Sequence, residues 1–117
     1  MSGARQPAEV VDLLGVEGIG PLWGIASAEL NATLLSWPPG HEVAGDDPSE
    51  LDVLLVVLEG GGTALVDGQE HRLVAGSALL VERGRRRALR AGGDGIRYLS
   101  VHRRRGPLQV APRAERR

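Results

Sequence analysis

The chain has 117 residues, a formal net charge of −1 and no cysteine, which fits one domain and excludes disulfides, thiolate metal sites and a cysteine nucleophile. Phenylalanine is absent, and the aromatic residues are two tryptophans and one tyrosine, so an aliphatic, strand-forming core is expected. The first residues lack a signal-peptide pattern, and no apolar run approaches the ~20 residues of a membrane span. These features predict a soluble cytoplasmic protein.

The charges are distributed unevenly along the chain. Residues 1–80 carry twelve carboxylates and two arginines, whereas residues 81–117 carry twelve arginines and three carboxylates. A basic patch of this kind can bind phosphate. If both halves fold into one barrel, however, the charges interleave, so we expect solvated strand faces and a basic disordered tail at residues 111–117, without nucleic-acid binding.

In chain order, residues 1–20 are predicted to form an N-terminal arm with one short helical turn around Pro7 to Leu14. Residues 22–27 and 29–37 read as two strands because apolar and polar side chains alternate. The second strand places Leu30, Ala32 and Leu34 on one face and Asn31, Thr33, Leu35 and Trp37 on the other. A polar, turn-forming segment follows at residues 41–50.

The next strand, residues 52–59, is apolar on both faces and therefore needs cover on both sides. One face can line a barrel interior, and the other must meet the N-terminal arm or a second copy of the chain, so a homodimer is predicted. The glycine runs at 60–62 and 92–95 are interpreted as turns, and Asp67-Gly68 as a two-residue hairpin turn. Short strands without helices between them predict one antiparallel sandwich or small barrel over residues 21–110.

Glycines recur in this region at a spacing that is typical of a known family. They frame two motifs, the first formed by Gly40 and the strand into Gly60, the second by Gly76, Glu82, Gly84 and Arg87. This order resembles the cupin superfamily, and within it small single-domain proteins of no assigned activity. The resemblance implies an all-β jelly-roll barrel, also called a double-stranded β-helix.

The metal ligands of the family do not carry over by this resemblance. Counted from Gly60, the motif glutamate falls on Val53 and the histidine pair on Asp47 and Ser49, while Arg87 stands where the second motif has its histidine. A transition-metal site needs three or four converging nitrogen or oxygen donors. The sequence therefore predicts no cofactor; the alternative is a divalent transition metal held by His41, Asp47, Asp52 and His102.

The remaining polar candidates lie on or beside the later strands. His71 is expected on the surface of a hairpin, as His41 is on a loop. Alternation puts Tyr98, Ser100 and His102 on one strand face and Leu99 and Val101 on the other. Because a small barrel is usually filled by side chains, the aliphatic face is expected to point inward; otherwise the polar face forms a hydrogen-bonding wall.

Arg87 is predicted to point into the barrel together with Leu89. A buried cation needs a partner. One interpretation is a salt bridge to Asp52, Asp47 or Glu82. The other is that Arg87, with Arg85, offers a bidentate contact to a carboxylate or phosphate ligand.

The sequence thus favours a cupin-like binding or accessory module without the usual metal site, more than an enzyme. The predicted ligand is small and anionic or polar, and the candidate ligand-binding residues are Arg87, Arg85, Tyr98 and His102. The alternative is a metal-dependent cupin enzyme of the dioxygenase or isomerase type that uses the four-residue metal set. No catalytic residue is assigned, and no membrane partner is expected.

Overall fold

A computed structural model describes residues 9–45 and 48–104. Within these ranges the chain forms seven strands: β1 (Gly20–Ala26), β2 (Leu30–Trp37), β3 (Glu42–Ala44), β4 (Val53–Val66), β5 (Gln69–Val74), β6 (Ala78–Val81) and β7 (Arg87–Arg103). The same residues contain no helix long and apolar enough to cross a membrane. The described chain is therefore all-β, as predicted.

The two long strands, β4 and β7, connect two antiparallel sheets. They pair with each other along their whole length, from Val53 opposite His102 to Val66 opposite Arg87. One half of this pair is extended by β2, β1 and β6 into the order β1-β2-β7-β4-β6. The other half is extended by β3 and β5 into the order β3-β7-β4-β5. Two sheets that share bent strands in this way form the predicted jelly-roll barrel.

The glycine runs bend β4 and β7 and do not end them. The ladder between the two strands has register shifts between Val57 and Glu59 and between Gly60 and Gly62; at the second shift the β7 partner moves from Ile96 to Ala91, so residues 92–95 form a bulge within the strand. Gly60 has a φ of 68°, and a Cβ atom there would overlap the carbonyl oxygen of Gly95. The predicted turns at residues 60–62 and 92–95 are therefore wrong, because close contact between the two strands requires glycine within a continuous strand.

The Asp67-Gly68 hairpin is confirmed, with φ values of 51° and 82° in the left-handed region that such a turn needs. The helical turn predicted around Pro7 to Leu14 lies partly outside the described residues; from residue 9 onward it is reduced to one turn, Asp12 to Gly15, closed by the Gly15 amide donating to the Asp12 carbonyl at 3.1 Å. The segment at 41–50 was predicted as a turn region but contains β3. The predicted tail at 111–117 lies outside the described residues.

The polar face of β7 points into the barrel. Tyr98 is buried, whereas Leu99 and Val101 on the opposite face are half-buried. The expectation that Leu99 and Val101 fill the interior is therefore wrong. The aliphatic filling comes instead from β4, whose buried Val57 and Leu55 lie opposite Tyr98 and Ser100, so β7 need not supply it.

Candidate functional site

The barrel encloses a cavity of about 450 Å³, lined on one side by β3, Gly45 and residues 48–50. Most of its apolar wall is formed by six aliphatic side chains from five strands: Leu35, Val43, Leu55, Ala64, Leu79 and Leu89. Its polar lining consists of Ser49, Glu50, Arg87, Tyr98 and Ser100. The interior is thus neither filled nor evenly polar; it combines one aliphatic wall with a small group of hydrogen-bonding side chains.

Arg87 enters this cavity from the first position of β7. The backbone just before it is fixed by the hairpin turn, because the Arg86 amide donates to Asp67 Oδ1 at 2.9 Å and the Asp67 amide donates to the Arg86 carbonyl at 2.9 Å. Arg87 lies opposite Val66, on the same face as Leu89, as predicted. The side chain therefore stands at a defined place on the barrel wall.

The predicted carboxylate partners of Arg87 are engaged elsewhere. Asp52 Oδ1 accepts a hydrogen bond from the Arg83 amide at 2.8 Å, and Glu82 pairs with Arg85 at 3.6 Å. Asp47 lies outside the described residues. Within the ranges 9–45 and 48–104 no carboxylate forms an ion pair with Arg87, although Glu50 lines the same cavity.

Tyr98 lines the cavity, and its hydroxyl is held by a hydrogen bond. Trp37 Nε1 donates to Tyr98 Oη at 3.0 Å, so this contact uses the oxygen as an acceptor and leaves the phenolic proton for another group. Burial raises the pKa of Tyr98 above its ordinary value of 10.0, while the Trp37 hydrogen bond and the charge of Arg87 lower it. The hydroxyl is therefore protonated at neutral pH and can donate.

His102 lies at the other side of the site and does not line this cavity. It borders a separate surface groove together with Leu54 and Arg103. Its Nδ1 lies 2.7 Å from the Arg103 carbonyl oxygen, and its Nε2 lies 3.3 Å from Asn31 Nδ2. Because a carbonyl oxygen can only accept, Nδ1 donates and Nε2 accepts. Both ring nitrogens are thus engaged within the protein.

The other histidines have structural neighbours as well. The imidazole of His41 stacks on the indole of Trp37, with ring centroids 4.2 Å apart and an interplanar angle of 7°. It is half-buried, and not the free loop side chain that was expected. His71 is also half-buried, opposite Ala64 on the β4–β5 hairpin. Neither His41 nor His71 lines the cavity that contains Arg87 and Tyr98.

Arg85 does not join Arg87 in the cavity. It is half-exposed and pairs with Asp67 at 3.3 Å and with Glu82 at 3.6 Å. Arg90 likewise pairs with Glu42 at 3.7 Å. These contacts place carboxylates among the arginines of the second half of the chain, as the interleaving argument predicted.

The candidate metal set is not assembled by the described residues. His41 stacks on Trp37, Asp52 binds the Arg83 amide and His102 borders a different groove. No group of three His, Asp or Glu side chains in residues 9–45 and 48–104 is arranged to hold a metal ion. The polar groups that line the cavity are one guanidinium, one carboxylate, one phenol and two serine hydroxyls, and a single carboxylate without imidazole falls short of the three or four donors that a transition metal needs.

Two cavity features were not identified from the sequence. Trp37 was read as the end of a strand, but its indole orients the Tyr98 hydroxyl. Leu55, and not Val53, lines the cavity at the motif strand. The signal for Trp37 was present, because alternation had placed it on the same face as Leu35, which lines the cavity.

Comparison with solved structures identifies the fold. The chain resembles a conserved protein of unknown function, SPY1581, from Streptococcus pyogenes, with a TM-score of 0.67, 22% identity and coverage of 92% of this chain and 98% of that one. It resembles the cupin protein BF4112 from Bacteroides fragilis with a TM-score of 0.65, 19% identity and coverage of 92% and 90%. KdgF from Halomonas sp. aligns with a TM-score of 0.65, 17% identity and coverage of 71% and 76%.

These likenesses show the fold alone, which is the cupin jelly roll. No protein-family profile matches the chain, and no curated protein sequence matches it. The function must therefore be argued from the cavity.

Proposed function

We propose that this protein is a cupin-fold binding module that holds a small organic anion in its barrel. The apolar body of the ligand lies against the aliphatic wall, and its acidic group accepts hydrogen bonds from Arg87 and Tyr98. The observation that carries the proposal is the Arg87 guanidinium, which lines an aliphatic cavity and pairs with no carboxylate of the described residues. A cation in such surroundings is costly unless paired, and the arginine fork matches a carboxylate.

The size and charge of the cavity narrow the ligand class. A volume of about 450 Å³ is within the ~300–1,000 Å³ that small-molecule pockets occupy. One cationic side chain faces six aliphatic ones, which suits a ligand with one acidic group and an apolar body. Glu50 on the same lining would repel a second negative charge, so a monoanion is favoured over a dianion.

The metal-dependent enzyme remains the alternative to this proposal. It requires the set His41, Asp47, Asp52 and His102 to converge, and no contact of the described members favours that arrangement. A stoichiometric transition metal in protein purified without a histidine tag, lost on His102→Ala or His41→Ala, would support the alternative. A cytoplasmic location stays a prediction of the sequence.

Ligand binding can be followed through Trp37, because its indole contacts the phenol that is proposed to bind the anion. In a Trp23→Phe variant Trp37 is the sole tryptophan, and its fluorescence is titrated with octanoate, benzoate and their neutral amides. We expect the carboxylates to bind at least about tenfold more tightly than the amides, a difference of ~1.4 kcal/mol. Equal binding of acids and amides would contradict the proposal.

Three variants connect this preference to the cavity. Arg87→Met keeps an apolar side chain of similar length and should abolish the preference for the acid. Arg90→Met, which removes an exposed arginine paired with Glu42, is the matched control and should retain it. Asp47→Asn tests the remaining salt-bridge interpretation: if Asp47 neutralises Arg87, this variant binds octanoate more tightly than the wild type, and the anion site is then not open in the native protein.

A further inference from the structure

An apolar row crosses the outer face of the five-stranded sheet without interruption. Residues paired across neighbouring strands share a face, and the row consists of Ile25, Ala32, Val101, Leu54 and Leu80, each the register partner of the next. Three of these side chains are exposed: Ile25 by 41%, Leu54 by 38% and Leu80 by 57%. Soluble monomers rarely leave a contiguous apolar stripe of this kind uncovered.

The described part of the N-terminal arm, from residue 9 onward, contacts the other end of this face. Arg97 Nη1 donates to the carbonyls of Leu13 at 2.8 Å and Val16 at 2.6 Å, so the arm lies over the Arg97 end of the sheet. One row further along, Leu34 is fully buried. Burial stops there, and no described residue covers the row from Ile25 to Leu80. The described residues thus cover the outer apolar face of β4 only in part.

The charges around the row are of both signs. The groove over Leu54, Leu80 and Val101 is bordered by two carboxylates, Glu50 and Asp52, and by two guanidinium groups, Arg83 and Arg103. In a two-fold pair the same patch faces itself. A rim of one sign would repel its copy, whereas a rim with two acids and two bases allows each acid to meet a base.

We propose that two copies of this chain associate through this outer face, sheet against sheet, with the Ile25-to-Leu80 row at the centre. The near-neutral chain, with a net charge of −1, does not oppose self-association. The proposal concerns the outside of the barrel and does not depend on what the cavity binds.

The dimensions of the patch set the expected strength. Five strands ~4.8 Å apart and two uncovered same-face positions ~6.8 Å apart along each strand give a patch of roughly 24 by 14 Å. Each copy then contributes about 330 Å², and the pair about 650 Å², which is in the size range of weak, transient interfaces. The dimer should accordingly dissociate measurably on dilution.

Sedimentation equilibrium of the full chain, from low micromolar to sub-millimolar concentration, tests the proposal. The wild type should approach twice the 12.4 kDa chain mass as concentration rises. Leu80→Glu and Ile25→Glu, at opposite ends of the row, should each raise the dissociation constant about 100-fold or more, because two-fold symmetry places the new charge in the interface twice. Both positions are exposed in the single chain, so folding, checked by circular dichroism, should persist.

The matched control is Val74→Glu at the end of β5, which introduces the same charge at a side chain that is 49% exposed on the other sheet. It should dimerise like the wild type. A wild type that stays monomeric throughout overturns the proposal, and this is the result expected if residues 105–117 of the same chain or an unrelated protein cover the row. A dimer that survives Leu80→Glu and Ile25→Glu, or is lost in Val74→Glu, places the contact elsewhere and overturns it equally.

Discussion

Replacing Gly60 by alanine should destabilise the barrel by about 2–5 kcal/mol. Two effects add at this position. Its φ of 68° is left-handed, which costs a residue with a Cβ atom ~1–2 kcal/mol. The added Cβ would also overlap the Gly95 carbonyl oxygen, a backbone atom of β7 that cannot rotate away; forced contacts of this kind cost ~1–3 kcal/mol.

Two matched alanine variants separate these effects. Gly68 has a φ of 82° but no atom within 4 Å of its added Cβ, so Gly68→Ala should lose the conformational part alone. Gly93 has neither a left-handed φ nor a close neighbour, and its variant should lie within ~0.5 kcal/mol of the wild type. The expected order of destabilisation is Gly93→Ala, then Gly68→Ala, then Gly60→Ala.

Urea unfolding followed by tryptophan fluorescence, at one fixed protein concentration because association affects apparent stability, measures this series. A loss of 2–5 kcal/mol is a large share of the ~5–15 kcal/mol that stabilises a typical domain. If Gly60→Ala unfolds at the same urea concentration as Gly68→Ala, the close approach of β4 to β7 at Gly95 is not a constraint. The account of the glycine run as a required bend would then be refuted.

Two further predictions concern the site and the arm. Tyr98 is the sole tyrosine, so tyrosinate absorbance should titrate with a midpoint above 10.0 in the folded protein, because burial raises the pKa of Tyr98. The stability linked to this shift is complete below pH 10.0 and is lost as pH rises through the folded-state pKa. A midpoint in the folded protein at or below that of the denatured protein would contradict this prediction. Arg97 holds the arm through two backbone carbonyls and pairs with Glu59 at 3.2 Å. Arg97→Met should therefore speed cleavage after Glu17 by a glutamate-specific protease about tenfold or more. Cleavage at the rate of the Arg90→Met control would show that other contacts hold the arm.

The sequence predicted the fold class and several local features because these depend on short-range patterns. Alternation assigned both faces of β2 correctly, and Asp67-Gly68 specified its hairpin through the left-handed φ that few other residues adopt. The glycines at 60–62 and 92–95 were misread because a turn and a bend use the same residue. What distinguishes them is the approach of the partner strand, here Gly95 against Gly60, and that contact joins residues far apart in the sequence.

The orientation of β7 shows a second limit of local patterns. Period two separates Tyr98 and Ser100 from Leu99 and Val101, but it does not say which set is inside when both faces meet apolar neighbours. The answer depends on β4, which supplies Leu55 and Val57 to the interior. Because β4 fills the interior with aliphatic side chains, β7 can present polar side chains to the lumen and the core remains packed.

The same dependence on distant partners explains why the role of Arg87 could not be decided from the sequence. Its proposed salt-bridge partners Asp52 and Glu82 were reasonable by proximity, yet each is engaged by the loop that leads into β7, through the Arg83 amide and the Arg85 side chain. The run of arginines thus divides its tasks at the start of β7, because Arg83 and Arg85 lie in the loop and Arg87 is the first residue of the strand. The positions before β7 bind the carboxylates at the surface, and the inward register leaves Arg87 as the cation that faces the cavity.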